Sequence, residues 1–297
     1  MWALRNVVQK FNRDWYAIEI CSTFGFFAYL QTALYILLYC DDYALRPAIR
    51  FTGGAYAKGS DRAGWLENYF TPKLGPLPDQ FLFFSKIRSD HDLGLHVKYH
   101  DRFTIELAHY LFNKYFSIKD HLLADLDSFV AEHSIGEQFI GVHFRGTDKS
   151  FEAPRVPWQN VRDGIEELLR ADKSIRGIFV ASDEPELIEW LHSIPFGLPV
   201  VSLESTEIYR SGVAAHLTSD TGDGYVKGKE ALLNSLVLSR CGYCLKTASA
   251  LSGWSKIFNP ALRVVMLNKP YDRFFWFPDK KIWESRYDAL ATISAAR

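Results

Sequence analysis

The chain contains 297 residues, enough for two domains of ordinary size, and its 48% hydrophobic and 23% charged residues are typical of a globular protein. Its formal net charge of −1 argues against nucleic acid or an anionic membrane as a partner, since the chain has no net positive charge to attract either of these polyanions. Cys241 and Cys244 have the spacing of half a zinc site, but Cys21 and Cys40 are not spaced as the second half, so we expect four reduced thiols in a cytoplasmic protein.

The first half opens with a predicted strand, helix and strand. Apolar residues 17–21 precede a turn at 22–25, then a helix that extends to Asp42 and a second strand at 46–51. The uncharged residues 21–40 are long enough to cross a bilayer, but Gly25 and several polar side chains interrupt them. We therefore expect a buried helix, and membrane association is not favoured.

The remainder of this half is less regular. Residues 52–80 are rich in Gly, Pro, Asp and Lys and predict a long functional loop. Residues 101–117 and 121–133 carry apolar side chains at helical spacing, which predicts two helices. A domain boundary is expected near residue 135.

The second half alternates between strands and helices, which predicts a parallel, doubly wound α/β sheet. The strands are expected at residues 139–144, 178–181, 198–203, 243–246 and 263–267. The helices are expected at residues 157–172, 186–194, 227–240 and 250–258, with a polar loop at 204–225.

The most informative segment follows the first of these strands. Side chains alternate along a strand, so His143 and Arg145 share one face, and Gly146, Thr147 and Lys149 follow at once. Ligands of open α/β sheets bind at the carboxyl ends of strands, where a hydroxyl and two cations suit an anion such as phosphate. The alternative is a strand end that holds only an ion pair between an arginine and an aspartate.

Three other segments place polar groups at the same edge of the sheet. Asp183 follows a strand, although helix capping alone would explain it. Thr247 and Ser249 lie between a strand and a helix, where hydroxyls and backbone N–H groups can cradle a phosphate, and capping is again the alternative. Glu230 lies in the first turns of the helix at 227–240, which we expect to point toward the same cleft.

Taken in order, these segments resemble the α1,6-fucosyltransferases, including the rhizobial nodulation fucosyltransferases, and the related protein O-fucosyltransferases. Residues 143–149, His-Phe-Arg-Gly-Thr-Asp-Lys, are similar to that family's His-x-Arg-x-Thr-Asp-Lys segment. Residues 180–185 resemble its Ala-Thr-Asp-Asp-Pro turn, residues 229–239 its late helix, and residues 247–249 its Thr-x-Ser turn. The resemblance covers most of residues 139–260. In the first half, only residues 24–27, Phe-Gly-Phe-Phe before a helix, resemble the Gly-rich start of the family.

The resemblance implies a GT-B-like α/β fold with two facing Rossmann-like domains. Residues 1–135 would form the acceptor-side domain and residues 136–297 the domain that binds the nucleotide-sugar donor. It implies GDP-fucose as donor, a hydroxyl of a glycan or glycoconjugate as acceptor, and inversion at the anomeric carbon. It implies no metal and no other cofactor.

The resemblance also assigns roles by position. Arg145 would bind the β-phosphate of GDP and stabilise the charge that develops as GDP leaves. His143 would lie beside guanine and ribose, Thr247 and Ser249 would donate to phosphate oxygens, and Lys149 would neutralise charge or position the acceptor. The other residues expected to bind the donor are Gly146, Thr147, Asp183, Glu230 and Asn234.

Two positions depart from the family pattern. Gly146 stands where the family usually has a second arginine, so one phosphate contact is expected to be missing. Asn234 aligns with the aspartate that reads the guanine edge, and an amide offers one acceptor atom where a carboxylate offers two. Glu230, one helical turn earlier on the same face, is a candidate substitute. A glycosyltransferase for another nucleotide sugar and a non-catalytic module that binds a nucleotide or glycan therefore remain alternatives.

Short patterns suggest a candidate for the general base and two candidate metal-binding pairs. Glu152, three residues past Lys149, is the candidate base, and a solvated loop glutamate is the alternative. Residues 90–92 and 125–127 both spell Asp-x-Asp, which bridges a metal and a diphosphate in other glycosyltransferases. The pattern arises easily by chance and the second copy lies within a helical pattern, so we expect neither to hold a metal.

Overall fold

The computed structural model describes residues 14–57, 64–74, 82–146, 151–203 and 224–285. The chain divides into two compact units. The first comprises Met1–Phe103, Leu107–Leu122 and Ser219–Lys229, and the second comprises Thr104–Glu106, Leu123–Thr218 and Glu230–Arg297.

The first unit is built on a three-stranded parallel sheet in the order β2-β1-β4. Strand β1 (Trp15–Cys21) leads into helix α1 (Phe26–Asp42), which returns the chain to β2 (Arg46–Thr52). The predicted strand, helix and strand are therefore confirmed. Helix α1 carries no charge before its last turn because it is buried along most of its length, and the third strand, β4, is Ser85–Ile87.

The region predicted as one long loop contains regular structure. Helix α2 (Leu66–Tyr69) runs directly into strand β3 (Phe70–Pro72), which pairs with β5 (Phe116–Ile118) in an antiparallel ribbon. The loop prediction for this part was wrong because Trp65 and Tyr69, which are buried, pack against Phe26 with ring centroids 5.5 and 5.0 Å apart. The abundant aromatic residues thus form the core of this unit.

Short helices complete the middle of the chain. A 3-10 turn (Asp90–Leu93) precedes α3 (Leu95–Tyr99), and α4 (Ile105–Tyr115) and α5 (Asp120–Glu132) follow. The helices predicted at 101–117 and 121–133 are confirmed with small shifts at their ends.

The second unit is built on a five-stranded parallel sheet in the order β10-β9-β6-β7-β8. Its strands are β6 (Phe139–Phe144), β7 (Gly177–Ser182), β8 (Val200–Val201), β9 (Tyr243–Lys246) and β10 (Arg263–Met266). Its helices are α6 (Trp158–Ala171), α7 (Pro185–Ser193), α8 (Gly224–Arg240, whose residues up to Lys229 belong to the first unit) and α9 (Ala250–Phe258), and residues 279–285 are also helical. The predicted doubly wound sheet is confirmed, although β8 is only two residues long and α8 begins three residues earlier than predicted.

Two other expectations concern the surroundings of the protein. No helix in the described ranges has the length and the apolar character that a bilayer crossing requires. All four cysteines are free thiols, and Cys40, Cys241 and Cys244 are buried. Burial raises the pKa of Cys244 to about 12, so this thiol is a core side chain and not a reactive one.

Candidate active site

The site is assembled where three neighbouring strands of the second unit end. The register pairs Phe144 with Ser182 and His143 with Lys246, so the next residue of each strand, Arg145, Asp183 or Thr247, lies at one edge of the sheet. The Arg145 backbone N–H donates to Thr247 Oγ1 at 2.8 Å. Parallel pairing therefore brings together three residues that are far apart in the sequence.

Asp183 contacts the end of β6 through both carboxylate oxygens. Oδ1 accepts a hydrogen bond from the Gly146 N–H at 3.0 Å, and Oδ2 lies 3.6 Å from Arg145 Nε. Helix α7 is preceded by Glu184 at its cap position, without a side-chain capping bond. The ion pair that we considered as an alternative does exist, and its effect is to orient the guanidinium of Arg145, whose side chain is 20% exposed.

His143 lies on β6, two residues before Arg145, and carries a neutral imidazole. It is buried, and burial lowers its pKa well below the ordinary value, with smaller contributions from the charges of Lys246 and Arg145. No hydrogen-bond partner for its Nδ1 atom occurs within the described part of the chain. A buried ring nitrogen of this kind suits a hydrogen bond to a bound ligand.

The turn after β9 is held by buried polar groups. Ala248 N–H donates to Asn268 Oδ1 at 2.8 Å, and Ser249 N–H donates to Asp279 Oδ2 at 2.9 Å. Because protein acceptors already occupy these two amides, a phosphate here would meet side-chain hydroxyls and not these N–H groups. The backbone part of the predicted phosphate cradle is therefore corrected for these two residues.

A buried ion pair supports the same turn. Lys246 is fully buried, and its ammonium group donates to Asp279 Oδ1 and, at 3.2 Å, to the carbonyl of Ser249. Sequence reasoning missed Lys246, Asp279 and Asn268. A lysine that ends an apolar strand is a detectable signal, but no local pattern connects it with an acid 33 residues later.

The packing around position 146 explains why a glycine stands there, which the sequence alone did not show. A Cβ atom at this position would lie 2.0 Å from Glu184 Oε1 and 2.7 Å from a ring carbon of Phe144. The Glu184 carboxylate is fixed in place, because it accepts hydrogen bonds from Trp158 Nε1 at 2.8 Å and from Arg155 Nη2 at 3.0 Å. Any side chain at position 146 would require Glu184 to move.

The other predicted site residues stay predictions. Glu230 and Asn234 occupy successive turns of α8 in partly buried positions, and Glu152 is partly buried in the segment before α6. Thr147 and Lys149 fall outside the described residues. Of the Asp-x-Asp pairs, Asp125 and Asp127 are exposed on α5, as expected from their helical pattern.

Known proteins resemble this chain in structure but not detectably in sequence. No protein-family model and no curated protein sequence matches the chain. The fucosyltransferase NodZ from Bradyrhizobium superposes with a TM-score of 0.55 at 14% identity, covering 86% of this chain and 99% of NodZ. NodZ α1,6-fucosyltransferase soaked with GDP-fucose gives a TM-score of 0.54 at 14% identity, covering 82% and 94%.

A plant enzyme shows the same likeness. A mutant of Arabidopsis thaliana FUT1 in complex with GDP superposes with a TM-score of 0.54 at 13% identity, covering 95% of this chain and 77% of FUT1. Likeness at this level of identity is a likeness of fold, and the predicted GT-B-like fold class is confirmed. The chain therefore has the fold of the GDP-fucose fucosyltransferases.

Proposed function

We propose that the protein is an inverting, metal-independent fucosyltransferase that moves fucose from GDP-fucose to a hydroxyl of a glycan or glycoconjugate. The observation that carries this proposal is the arrangement of Arg145, Asp183 and Thr247 at adjoining strand ends of the five-stranded sheet. The fold shared with NodZ and FUT1 supports it. Residues 136–297 would bind the donor and residues 1–135 the acceptor.

The chemistry requires stabilisation of a leaving diphosphate. As the bond to the sugar breaks, negative charge grows on the β-phosphate, and a fixed cation lowers the free energy of that transition state. Asp183 orients the Arg145 guanidinium for this contact, and the hydroxyls of Thr247 and Ser249 are the proposed donors to phosphate oxygens. Arg145 and Lys149 would supply positive charge without a bridging metal.

His143 and Glu152 would take the remaining roles. Burial keeps the imidazole of His143 neutral, and its Nδ1 atom would form a hydrogen bond with the nucleoside. Glu152 is the proposed base that removes the proton from the acceptor hydroxyl. A reducing, cytoplasmic setting fits the four free thiols.

Asn234 favours a second candidate, a glycosyltransferase that uses another nucleotide sugar. A guanine edge presents two donors, and one amide oxygen can accept only one of them well. Glu230, one turn earlier on α8, would restore a carboxylate for guanine. The first property to measure is therefore which nucleobase the donor site prefers.

Ligand-induced stabilisation decides between these functions. The melting temperature should rise with GDP and GDP-fucose and less with UDP or ADP, since only ligands of the native state stabilise it. Selective stabilisation by another nucleotide would support the second candidate. If no nucleotide changes the melting temperature, the proposed donor site is wrong.

Metal independence has its own test in the transfer assay. Excess EDTA should change the rate by no more than a few-fold, and dependence on added Mn²⁺ would contradict metal independence.

Arg145 provides the sharpest test of the mechanism. Arg145→Ala should lower kcat/KM about 10²–10³-fold with the fold intact, because one preorganised donor to the transition state is lost. Arg145→Lys should also be poor, since an ammonium lacks the planar fork of donors. The matched control is Arg162→Ala, which removes an arginine that pairs with Glu166 on helix α6. Near-normal turnover by folded Arg145→Ala would refute the assignment.

A further inference from the structure

The first unit brings three metal-ligating side chains together at a turn. A carboxylate oxygen of Asp90 and one ring nitrogen each of His91 and His96 lie within 4.8 Å of one another. Between the 3-10 turn and helix α3, Gly94 adopts a left-handed conformation with φ of 67°, which a glycine tolerates without strain. This reversal of the chain stacks the two imidazoles, with ring centroids 3.7 Å apart.

The carboxylate of Asp90 is held from behind and faces the imidazoles. Thr32 Oγ1, on the buried side of helix α1, donates to Asp90 Oδ1 at 3.4 Å. The other oxygen, Oδ2, lies 3.8 Å from His96 Nδ1. A hydroxyl that orients a carboxylate while its second oxygen points at histidine nitrogens is the outer-shell arrangement typical of protein metal sites.

The charges of the cluster also suit a cation. Asp90 is only 6% exposed, so its carboxylate is largely shielded from water. A divalent ion beside it would supply the positive charge that a buried carboxylate needs.

We propose that Asp90, His91 and His96 bind a divalent transition-metal ion of the Zn²⁺ class. Two imidazole nitrogens and one carboxylate oxygen match Zn²⁺ or Co²⁺, whereas Mg²⁺ and Ca²⁺ prefer oxygen ligands alone. Donor atoms about 2.1 Å from a tetrahedral ion stand about 3.4 Å apart. The cluster, whose ligand atoms lie within 4.8 Å of one another, therefore has to contract on binding the ion, and rotation of the exposed side chain of His91 allows this.

This site is not the metal–diphosphate bridge that an Asp-x-Asp pair would form. Asp92 Oδ2 accepts a hydrogen bond from the N–H of Arg88, which precedes the turn, at 2.7 Å. Only Asp90 of the pair faces the imidazoles. The ion would tie the turn to helix α3, so its role is to stabilise the first unit, independently of the proposed transfer.

The test is metal binding by the full-length, untagged protein after treatment with a chelator. Calorimetry should detect one equivalent of Zn²⁺, and Co²⁺ should give the visible absorption of a low-coordinate site without the near-ultraviolet band of thiolate ligands. His91→Ala and His96→Ala should each weaken Zn²⁺ binding by more than about tenfold, and Thr32→Val by about tenfold. The matched control, His100→Ala, removes an exposed histidine that pairs with Asp101 and should bind Zn²⁺ as the wild type does.

The outcomes separate cleanly. Equal Zn²⁺ affinity in the wild type and His91→Ala would overturn the proposal, as would a Co²⁺ spectrum with thiolate character, which would indicate the cysteines. Equal stabilisation by Mg²⁺ would also overturn it. If His96→Ala fails to fold, His91→Ala decides, because that side chain is exposed and its removal leaves the core intact. All these measurements are independent of transferase activity, so failure of the proposed function would not affect them.

Discussion

The buried pair of Lys246 and Asp279 makes a quantitative prediction about stability. Lys246→Met fills nearly the same volume but leaves the Asp279 carboxylate buried without its cation. Removing one partner of a buried ion pair costs about 3–5 kcal/mol. Asp279 retains one hydrogen bond, from the Ser249 N–H at 2.9 Å, so we expect a loss near the lower end, about 3 kcal/mol.

Urea unfolding followed by circular dichroism measures this loss. Lys256→Met is the matched control, because the Lys256 ammonium group in α9 donates to the carbonyls of Pro260 and Leu262 at 2.5 and 2.8 Å and, among the residues that the structure describes, to no carboxylate. Its removal leaves no buried charge, and we expect a loss of about 1–2 kcal/mol. The double variant Lys246→Met, Asp279→Asn removes both charges and should be more stable than Lys246→Met alone.

The same variants report on the proposed donor site. Because the pair holds the turn that contains Thr247 and Ser249, Lys246→Met should also weaken GDP binding, and Lys256→Met should not. A Lys246→Met protein that is within about 1 kcal/mol of the wild type, or that is no less stable than the control, would refute this prediction. Either result would mean that the Asp279 carboxylate does not depend on the Lys246 ammonium group for compensation of its charge.

Three further predictions concern single side chains. Gly146→Ala should lower the unfolding free energy by about 1–3 kcal/mol, because its Cβ displaces Glu184, and urea titration against the wild type would show this. Asn234→Asp should raise the ratio of GDP to ADP affinity about tenfold in calorimetry, or Glu230→Gln should lower it; no change in either would show that α8 does not read the base. His143 has its pKa depressed in the folded state, so stability is lost as pH falls below about 6.5, by up to about 1.4 kcal/mol per pH unit. His143→Leu should lose less stability than the wild type between pH 7 and 5, and parallel curves would contradict the assignment.

Much of the second unit follows from the sequence alone. The strand Phe139–Phe144, the strand Tyr243–Lys246 and the helix Ala250–Phe258 have the bounds that their apolar runs predict. Once these strands are parallel and adjacent, the residues that follow them must meet at one edge of the sheet. The convergence of Arg145 with Thr247 was therefore predictable from local patterns.

The parts that could not be predicted depend on contacts between distant segments. Asn268 and Asp279 accept hydrogen bonds from the turn after β9, but they lie 20 and 30 residues after the amides that donate to them, and no local pattern connects such distant positions. Gly146 suggested only a missing phosphate contact, since the carboxylate of Glu184 that fills the space next to it comes from another strand end. Trp65 and Tyr69 were hidden among turn-forming residues, and their burial became visible only in the packed core.

The contact between Gly146 and Glu184 also restricts how this sequence can evolve. A change of Gly146 to the second arginine of the fucosyltransferase pattern would be harmful as a single step, since the new side chain would collide with a carboxylate fixed by Trp158 and Arg155. The effect of a substitution at position 146 therefore depends on the residue at position 184: with a smaller residue at 184, the closest contact of a Cβ atom at 146 would be the ring of Phe144.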